Sequence, residues 1–404
     1  MKALRGTDDL AMFGAPPLFA EPLLVGRPNI GDRATFMRHL EGAFDRRWLS
    51  NFGPVVKEFE QRLAQYLGVR HAVTVCNATV GLEIAVRALG LSGEVIVPSF
   101  TFVATVHVLH WLGLRPVFVD IDPATHNVDV DAVRRAITSK TSGIIGVHLW
   151  GRACDTEALE SIAREHDLRL MFDAAHALGC SHRGRMIGGF GECEVFSFHA
   201  TKFFNTFEGG VITTNHDDVA HRLRLMSNFG FHGLDNTDCV GVNGKMNEAC
   251  AAMGLANLDA LDGFVKTNRA NYEVYRRRMA AIPGLQCIVY DDSERWNYQY
   301  VVVELDQAAF GLPRDILYRI LHAENVMVRR YFYPGCHRME PYRSGAVGAV
   351  PELPQTEALS DRVLAFPTGT QTAPVEVDAI CDLLSCTQRQ AAVVAERCSG
   401  SSAC

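Results

Sequence analysis

From about residue 55 to residue 260, short β-branched runs alternate with segments of helical period, and no other feature of the chain restricts its fold as much. Such alternation implies an α/β sheet with helices on both faces. The expected strands are Ala72 to Val75, Glu94 to Val97, Pro116 to Val119, Gly143 to Val147, Leu168 to Phe172, Glu194 to Phe198 and Gly210 to Thr213. Their apolar residues run almost without interruption, as in strands covered on both sides, so a mostly parallel seven-stranded sheet is expected. Between them, Val56, Phe59, Leu63 and Tyr66 share one helix face, and Asp155 is placed to cap a helix carrying Leu159 and Ile162.

A helical pattern continues from Met246 to about Met279, where Pro283-Gly284 breaks it. Strands are then expected over Cys287 to Tyr290 and Tyr298 to Leu305, with helices near Arg314 to Glu324 and Val375 to Gln388. The chain is too long for one small core. The expected division is an N-terminal arm (1–30), a large α/β domain (31–262), a smaller α+β C-terminal domain (263–395) and a frayed tail (396–404).

The net charge of −7 offers no basic footprint for nucleic acid, and a small-molecule substrate is the better expectation. No apolar run approaches the roughly 20 residues that cross a bilayer, and the start does not read as a signal peptide, so a cytoplasmic protein is expected. The twelve cysteines form no CxxC pair and are read as free thiols, with no metal site.

Chemistry concentrates in a few runs. Asp173 ends an apolar strand in Phe172-Asp173-Ala174-Ala175-His176; Lys202 follows in Phe196-Ser197-Phe198-His199-Ala200-Thr201-Lys202, with Gly209 and Gly210 behind it. This is what an enzyme needs to hold pyridoxal phosphate as a Schiff base. The lysine amine must be neutral to condense with an aldehyde, which partial desolvation favours. A carboxylate facing the pyridine nitrogen keeps it protonated, so the ring can accept electrons. His176 is placed to meet the cofactor's ring oxygen. Asn77-Ala78-Thr79-Val80-Gly81 opens a helix after the first strand, and reads either as a phosphate site built on Ala78 and Thr79 or as a plain N-cap turn. Phe102 is the aromatic to lie on the cofactor ring, with core packing as its alternative. Ser197 is an apt phosphate ligand. His199 either touches substrate or holds a tight turn, and Glu208 fixes the loop.

The runs Phe172 to Gly179, Phe196 to Gly210 and Gly241-Val242-Asn243-Gly244-Lys245-Met246-Asn247-Glu248 resemble the DegT/DnrJ/EryC1/StrS sugar aminotransferases, which have the aspartate aminotransferase (type I) fold. The similarity extends from about Pro22 to Leu384. It implies that Lys202 forms the Schiff base, that Asp173 faces the pyridine nitrogen and that His176 meets the ring oxygen. Ala78, Thr79 and Ser197 would hold the phosphate, with Asn243 reaching in from the partner subunit of a homodimer. Two departures stand out: Asn77-Ala78-Thr79 replaces the frequent Ser-Gly-Thr turn, and Lys245 stands where an arginine or asparagine is frequent. The related 3-dehydratases of keto-sugars carry histidine in place of the lysine, so Lys202 argues against that branch.

The resemblance further implies that L-glutamate gives its nitrogen to the cofactor. The pyridoxamine phosphate form would then aminate a nucleotide-linked keto-sugar, with Lys202 moving the proton. The loop Arg329 to Tyr342 gathers cations and aromatics suited to a diphosphate and a sugar, with Arg330, Tyr331, Tyr333 and His337 as candidate substrate contacts and a solvated surface loop as the plainer alternative. Phe52, in Asp45 to Pro54, is a further candidate. Phe-His-Ala-Thr-Lys is similar to the run in enzymes that aminate C4 of a dTDP-4-keto-6-deoxyhexose, which favours C4 over C3 and suggests deoxyaminosugar and antibiotic biosynthesis. A non-catalytic regulator that binds the same cofactor is the rival of another class.

Overall fold

The computed structural model describes residues 4 to 399. Its centre is a seven-stranded sheet made of β1 (His71–Val75), β2 (Glu94–Pro98), β3 (Arg115–Val119), β4 (Thr141–Val147), β5 (Arg169–Asp173), β6 (Cys193–Ser197) and β7 (Gly210–Thr214). Their spatial order is β1-β7-β6-β5-β4-β2-β3. All neighbours run parallel except β7, which is antiparallel to both β1 and β6. Each expected strand overlaps an observed one, because runs such as Ile144-Ile145 and Met171-Phe172 are fully buried between two helical layers.

The helices that cover the sheet explain how it presents its edge. On one face, α1 (Pro54–Leu67) packs Val56, Phe59 and Leu63 into a core shared with Phe172, Phe196, Phe198 and Phe204. On the other, α2 (Ala78–Ala88) and α3 (Val103–Trp111) pack Leu82, Ile84, Val106 and Leu109 against Val73, Val95, Ile145 and Val195. As expected, Asp155 caps its helix by accepting the Ala158 amide. At Gly210 the sheet and the start of α2 meet closely: a Cβ there would lie 2.7 Å from the Phe196 carbonyl oxygen and 3.0 Å from the Ala78 nitrogen. Only glycine lets β7 enter at that point.

The helical stretch after Met246 is two helices, α4 (Glu248–Asp259) and α5 (Leu261–Met279). Beyond them a three-stranded antiparallel sheet, β8 (Leu285–Cys287), β9 (Val301–Leu305) and β10 (Val363–Phe366), carries α6 (Arg314–Ala323) and α7 (Pro374–Arg389). The structure departs here from the sequence expectation. Strand β8 lies two residues earlier, β9 is shorter, and β10 was not foreseen, because four buried apolar residues carry no period that separates strand from helix. The tail is also corrected in part: residues 391–399 form a helix that buries Ala391 and Val394, while 400–404 lie outside the described residues. The N-terminal segment packs on the smaller unit. Leu10, Leu18, Phe19 and Leu23 join its core, Leu23–Leu24 pairs with Val326–Met327, and the Glu324 carboxylate accepts the Ala11 and Leu18 amides.

Among the described residues ten cysteines are free, as read from the sequence; Cys398 is disulfide-bonded and corrects that reading at one position. No helix among the described residues is long and apolar enough to cross a membrane.

Candidate active site

The carboxyl ends of β1, β2, β4, β5 and β6 share one edge of the sheet, and a cavity of about 550 Å³ opens there. Its volume suits a cofactor with part of a substrate. Lys202 reaches it from a turn after β6 that is pinned on both sides. The Phe198 amide donates to the Gly209 carbonyl and the Thr206 amide to the Phe198 carbonyl, while the Lys202 amide donates to His199. Beneath the turn, Phe198 and Phe204 pack edge to face at 4.9 Å and both meet Phe59 of α1. Contacts of this kind each contribute about 0.5–1.5 kcal/mol beyond area burial, so the lysine is held on a stiff loop.

Burial lowers the Lys202 pKa, opposed by the charges of Tyr331 and Asp173, so the environment shifts the amine towards its neutral form. Its Nζ lies 3.3 Å from the Tyr300 hydroxyl. Asp173, the last residue of β5, is buried. Its Oδ2 accepts the Thr105 hydroxyl at 2.7 Å and its Oδ1 the Ala175 amide at 3.0 Å. Burial raises its pKa, while these hydrogen bonds and the charges of Lys202 and His148 pull the other way. A cation brought against this carboxylate would relieve its desolvation.

The His176 ring lies nearly parallel to those of Trp150 and Phe332, 16° and 10° from their planes, and with Trp150 and Phe332 themselves 5.5 Å apart the three rings form one cluster. Burial holds its pKa well below the usual value, so the ring is neutral. The Trp150 amide donates to Nδ1 at 3.4 Å, which assigns the proton to Nε2 and makes that atom a donor.

At the other end of the cavity, Asn77 caps α2 by accepting the Val80 amide at 2.9 Å. The Ala78 and Thr79 amides precede the first intrahelical bond, so they are placed to donate to an anion at the helix N-terminus. Ser197 lines the same end. Phe102, at the N-terminus of α3, lines the cavity with its ring 56% exposed, which fits a face kept for a planar ligand better than core packing. A half-buried lysine with a lowered pKa, a buried carboxyl, a neutral donor histidine, an open aromatic face and free helix amides fit pyridoxal phosphate.

The cavity thus brings together Lys202, Asp173, His176, Ala78, Thr79, Phe102, Ser197, His199 and Tyr331. His199 is tied into its own turn, where Nδ1 accepts the Thr201 amide and Nε2 lies 3.4 Å from Glu208. Other candidates lie elsewhere. Asn243 sits on the segment that bridges to Asn228 and does not line the cavity. Arg330 turns away to Asp315 at 3.0 Å and stacks on Tyr318 and Tyr333, so Arg330 and Tyr333 border an adjoining cleft. His337 is corrected outright: it is buried, with Nδ1 bonded to the Ser99 hydroxyl at 2.6 Å and Nε2 to Glu357 at 3.2 Å, and it holds the loop in place. Phe52 stands in the turn before α1 and does not line the cavity.

Sequence reasoning missed Tyr300, Thr105 and Phe332. Tyr300 comes from the smaller unit, immediately before β9, and no local pattern marks a residue whose partner is about a hundred positions away.

The fold and this site define a pyridoxal-phosphate enzyme of the aminotransferase type. The model of the DegT/DnrJ/EryC1/StrS aminotransferase family matches residues 31–385, and the chain belongs to that family. It is 37% identical over 350 residues to a dTDP-4-amino-4,6-dideoxy-D-glucose transaminase of Shigella dysenteriae, covering 86% of this chain and 94% of that one. A GDP-perosamine synthase of Vibrio cholerae is 33% identical over 351 residues, with 86% and 94% covered. Among solved structures, DesI in the presence of its TDP-sugar product superposes with a TM-score of 0.92 at 50% identity, covering 96% of this chain and 99% of that one.

Proposed function

We propose that this protein transfers an amino group from L-glutamate to C4 of a dTDP-linked 4-keto-6-deoxyhexose. The observation that carries the reading is the Lys202 amine, desolvated on a rigid loop in the cavity that Asp173 and His176 also line. The position of amination is supported by the Shigella relative, whose name places the amino group at C4 of a dTDP-sugar.

When bound, pyridoxal phosphate supplies an aldehyde that condenses with amines and a ring that takes up the electron pair left by a departing proton. The chain does the rest. Lys202 Nζ would hold the cofactor, and its amine is placed to take up and give back a proton within the cavity. Asp173 would hold the pyridine nitrogen protonated by offering a carboxylate in a dry site. His176 Nε2 would donate to the ring oxygen, and Phe102 would cover the ring face. The Ala78 and Thr79 amides with the Thr79 and Ser197 hydroxyls would hold the phosphate, at the positive end of α2. Tyr331 and Phe332, from the smaller unit, exclude water.

The working form is a homodimer in which Asn243 of one subunit completes the phosphate site of the other. Support comes from the surface around Asn243, where Phe229, Phe231, Leu234, Val240 and Val242 are all exposed. Such an apolar patch is costly on a lone subunit. The reading places the enzyme in cytoplasmic deoxyaminosugar biosynthesis of the kind that supplies antibiotics.

The test is to incubate the cofactor-loaded protein and glutamate with dTDP-4-keto-6-deoxy and dTDP-3-keto-6-deoxy sugars and to identify the products by mass and NMR. A 4-amino sugar from the first substrate supports the reading. Amination of the 3-keto sugar alone would overturn it.

A further inference from the structure

Lys202 has one protein hydrogen-bond partner at its Nζ among the described residues, and that partner comes from the other structural unit. The Tyr300 hydroxyl lies 3.3 Å from Nζ. The tyrosine ring is fixed on several sides: His176 meets it edge-on at 4.8 Å, Trp150 at 5.6 Å and Tyr331 at 5.8 Å. The ring therefore has little freedom, and its hydroxyl marks one point in the cavity.

From this geometry we infer that Tyr300 is a further catalytic residue, whose phenol holds the freed amine of Lys202 in place through both of its protonation states. The inference rests on the assignment of Lys202 as the cofactor-bearing lysine. Burial pushes the Tyr300 pKa above its ordinary value, so the phenol keeps its proton. A neutral phenol has one O–H to give and lone pairs to accept. When the amine is neutral, Tyr300 donates to its lone pair; when the amine has taken up a proton, Tyr300 accepts one of the three ammonium N–H bonds. The proton on Lys202 can come and go without either group losing its partner. A group that repeatedly gains and loses a proton in a desolvated site needs a partner of this kind, since an unpaired buried ammonium is strongly disfavoured.

The two hydrogen bonds differ in strength, which gives the inference a signature. A bond to the charged amine is the stronger, so removing the hydroxyl costs the ammonium more than the free amine. Tyr300→Phe should therefore lower the pH at which Lys202 becomes reactive. Asp173, His176, His199, Glu208, Arg329 and Tyr331 also line the cavity and are unchanged by the substitution, so they contribute equally to both proteins.

The experiment uses cofactor-free protein and pyridoxal phosphate. In capture, Nζ adds to the aldehyde carbon and one water leaves; borohydride then fixes the product for mass analysis at Lys202. The capture rate is followed from pH 6 to pH 10 for the natural protein and Y300F, and kcat and KM for glutamate are measured on the loaded enzymes. The midpoint of the capture profile should fall by about one pH unit in Y300F, so that capture near neutral pH becomes faster. Meanwhile kcat should drop about tenfold, with KM for glutamate within about twofold. Faster capture with slower turnover is not what general damage to the fold produces. An unchanged capture midpoint, or an undiminished kcat, overturns the role of Tyr300. Absence of trapping at Lys202 in the natural protein would instead overturn the underlying site assignment.

Discussion

His176 shows how a single environment sets a chemical role. Its burial in a cluster with Trp150 and Phe332 removes solvent and its Nδ1 is taken by a backbone amide, so a neutral ring with a donor at Nε2 follows. The same burial has a consequence for stability. A histidine with a lowered folded pKa binds fewer protons folded than unfolded, so its contribution is intact above the unfolded value, near 6.5, and declines as pH falls below it. His176→Gln keeps a donor for the ring oxygen and removes the titration. Urea unfolding from pH 7 down to pH 5 should show a shallower loss of stability in H176Q than in the natural protein, and parallel curves would refute this. Asp173 works in the opposite sense. Its raised folded pKa means that stability falls as pH rises through the window above the unfolded value of 3.8. Asp173→Asn should accordingly narrow its stability deficit, or surpass the natural cofactor-free protein, as pH rises towards 7, yet lose at least about a hundredfold in kcat. Calorimetry and kinetics on one preparation read both; a kcat near the natural value would contradict the role given to Asp173.

At the scale of elements, the site depends on how closely β6, β7 and the start of α2 approach one another. Gly210→Ala would force a methyl against the Phe196 carbonyl and the Ala78 nitrogen, at 2.7 and 3.0 Å. The expected cost is about 1–3 kcal/mol of stability, together with weaker cofactor retention because the Ala78 and Thr79 amides are displaced. Dialysis followed by absorbance measures the second effect, and full retention would show that the helix N-terminus is not the phosphate site. What the sequence discloses follows this same division. The seven long apolar strands and the residues at their ends were readable, because fully buried strands bounded by Asp173, Ser197 and Asn77 leave both a composition and a position signal. Strand β10 was not, since Val363–Phe366 has no period. Nor were Tyr300 and Thr105, whose roles exist only through contacts made across the fold. His337 misled for a complementary reason: a histidine beside arginines and tyrosines looks like a ligand, but its two ring nitrogens bond Ser99 and Glu357 inside the protein.

For the whole molecule, the smaller unit does more than complete the core. It supplies Tyr300, Arg329, Tyr331 and Phe332 to a cavity otherwise built from the large sheet, so the relative position of the two units fixes the site. The proposed dimer adds Asn243 from outside. If that residue acts across the interface, mixing the inactive Lys202→Ala and the weakened Asn243→Ala proteins should restore activity, because half of the sites in mixed dimers carry both natural residues. No gain on mixing, with subunit exchange verified, would confine Asn243 to its own chain.

The central claim is a covalent one, and borohydride reduction addresses it directly. The purified protein supplied with pyridoxal phosphate is reduced, digested and mapped by mass spectrometry. The phosphopyridoxyl group should be found at Lys202, and absent from Lys202→Ala, which should also lose at least about a thousandfold in turnover. Label distributed over surface lysines with Lys202 unmodified would contradict the account.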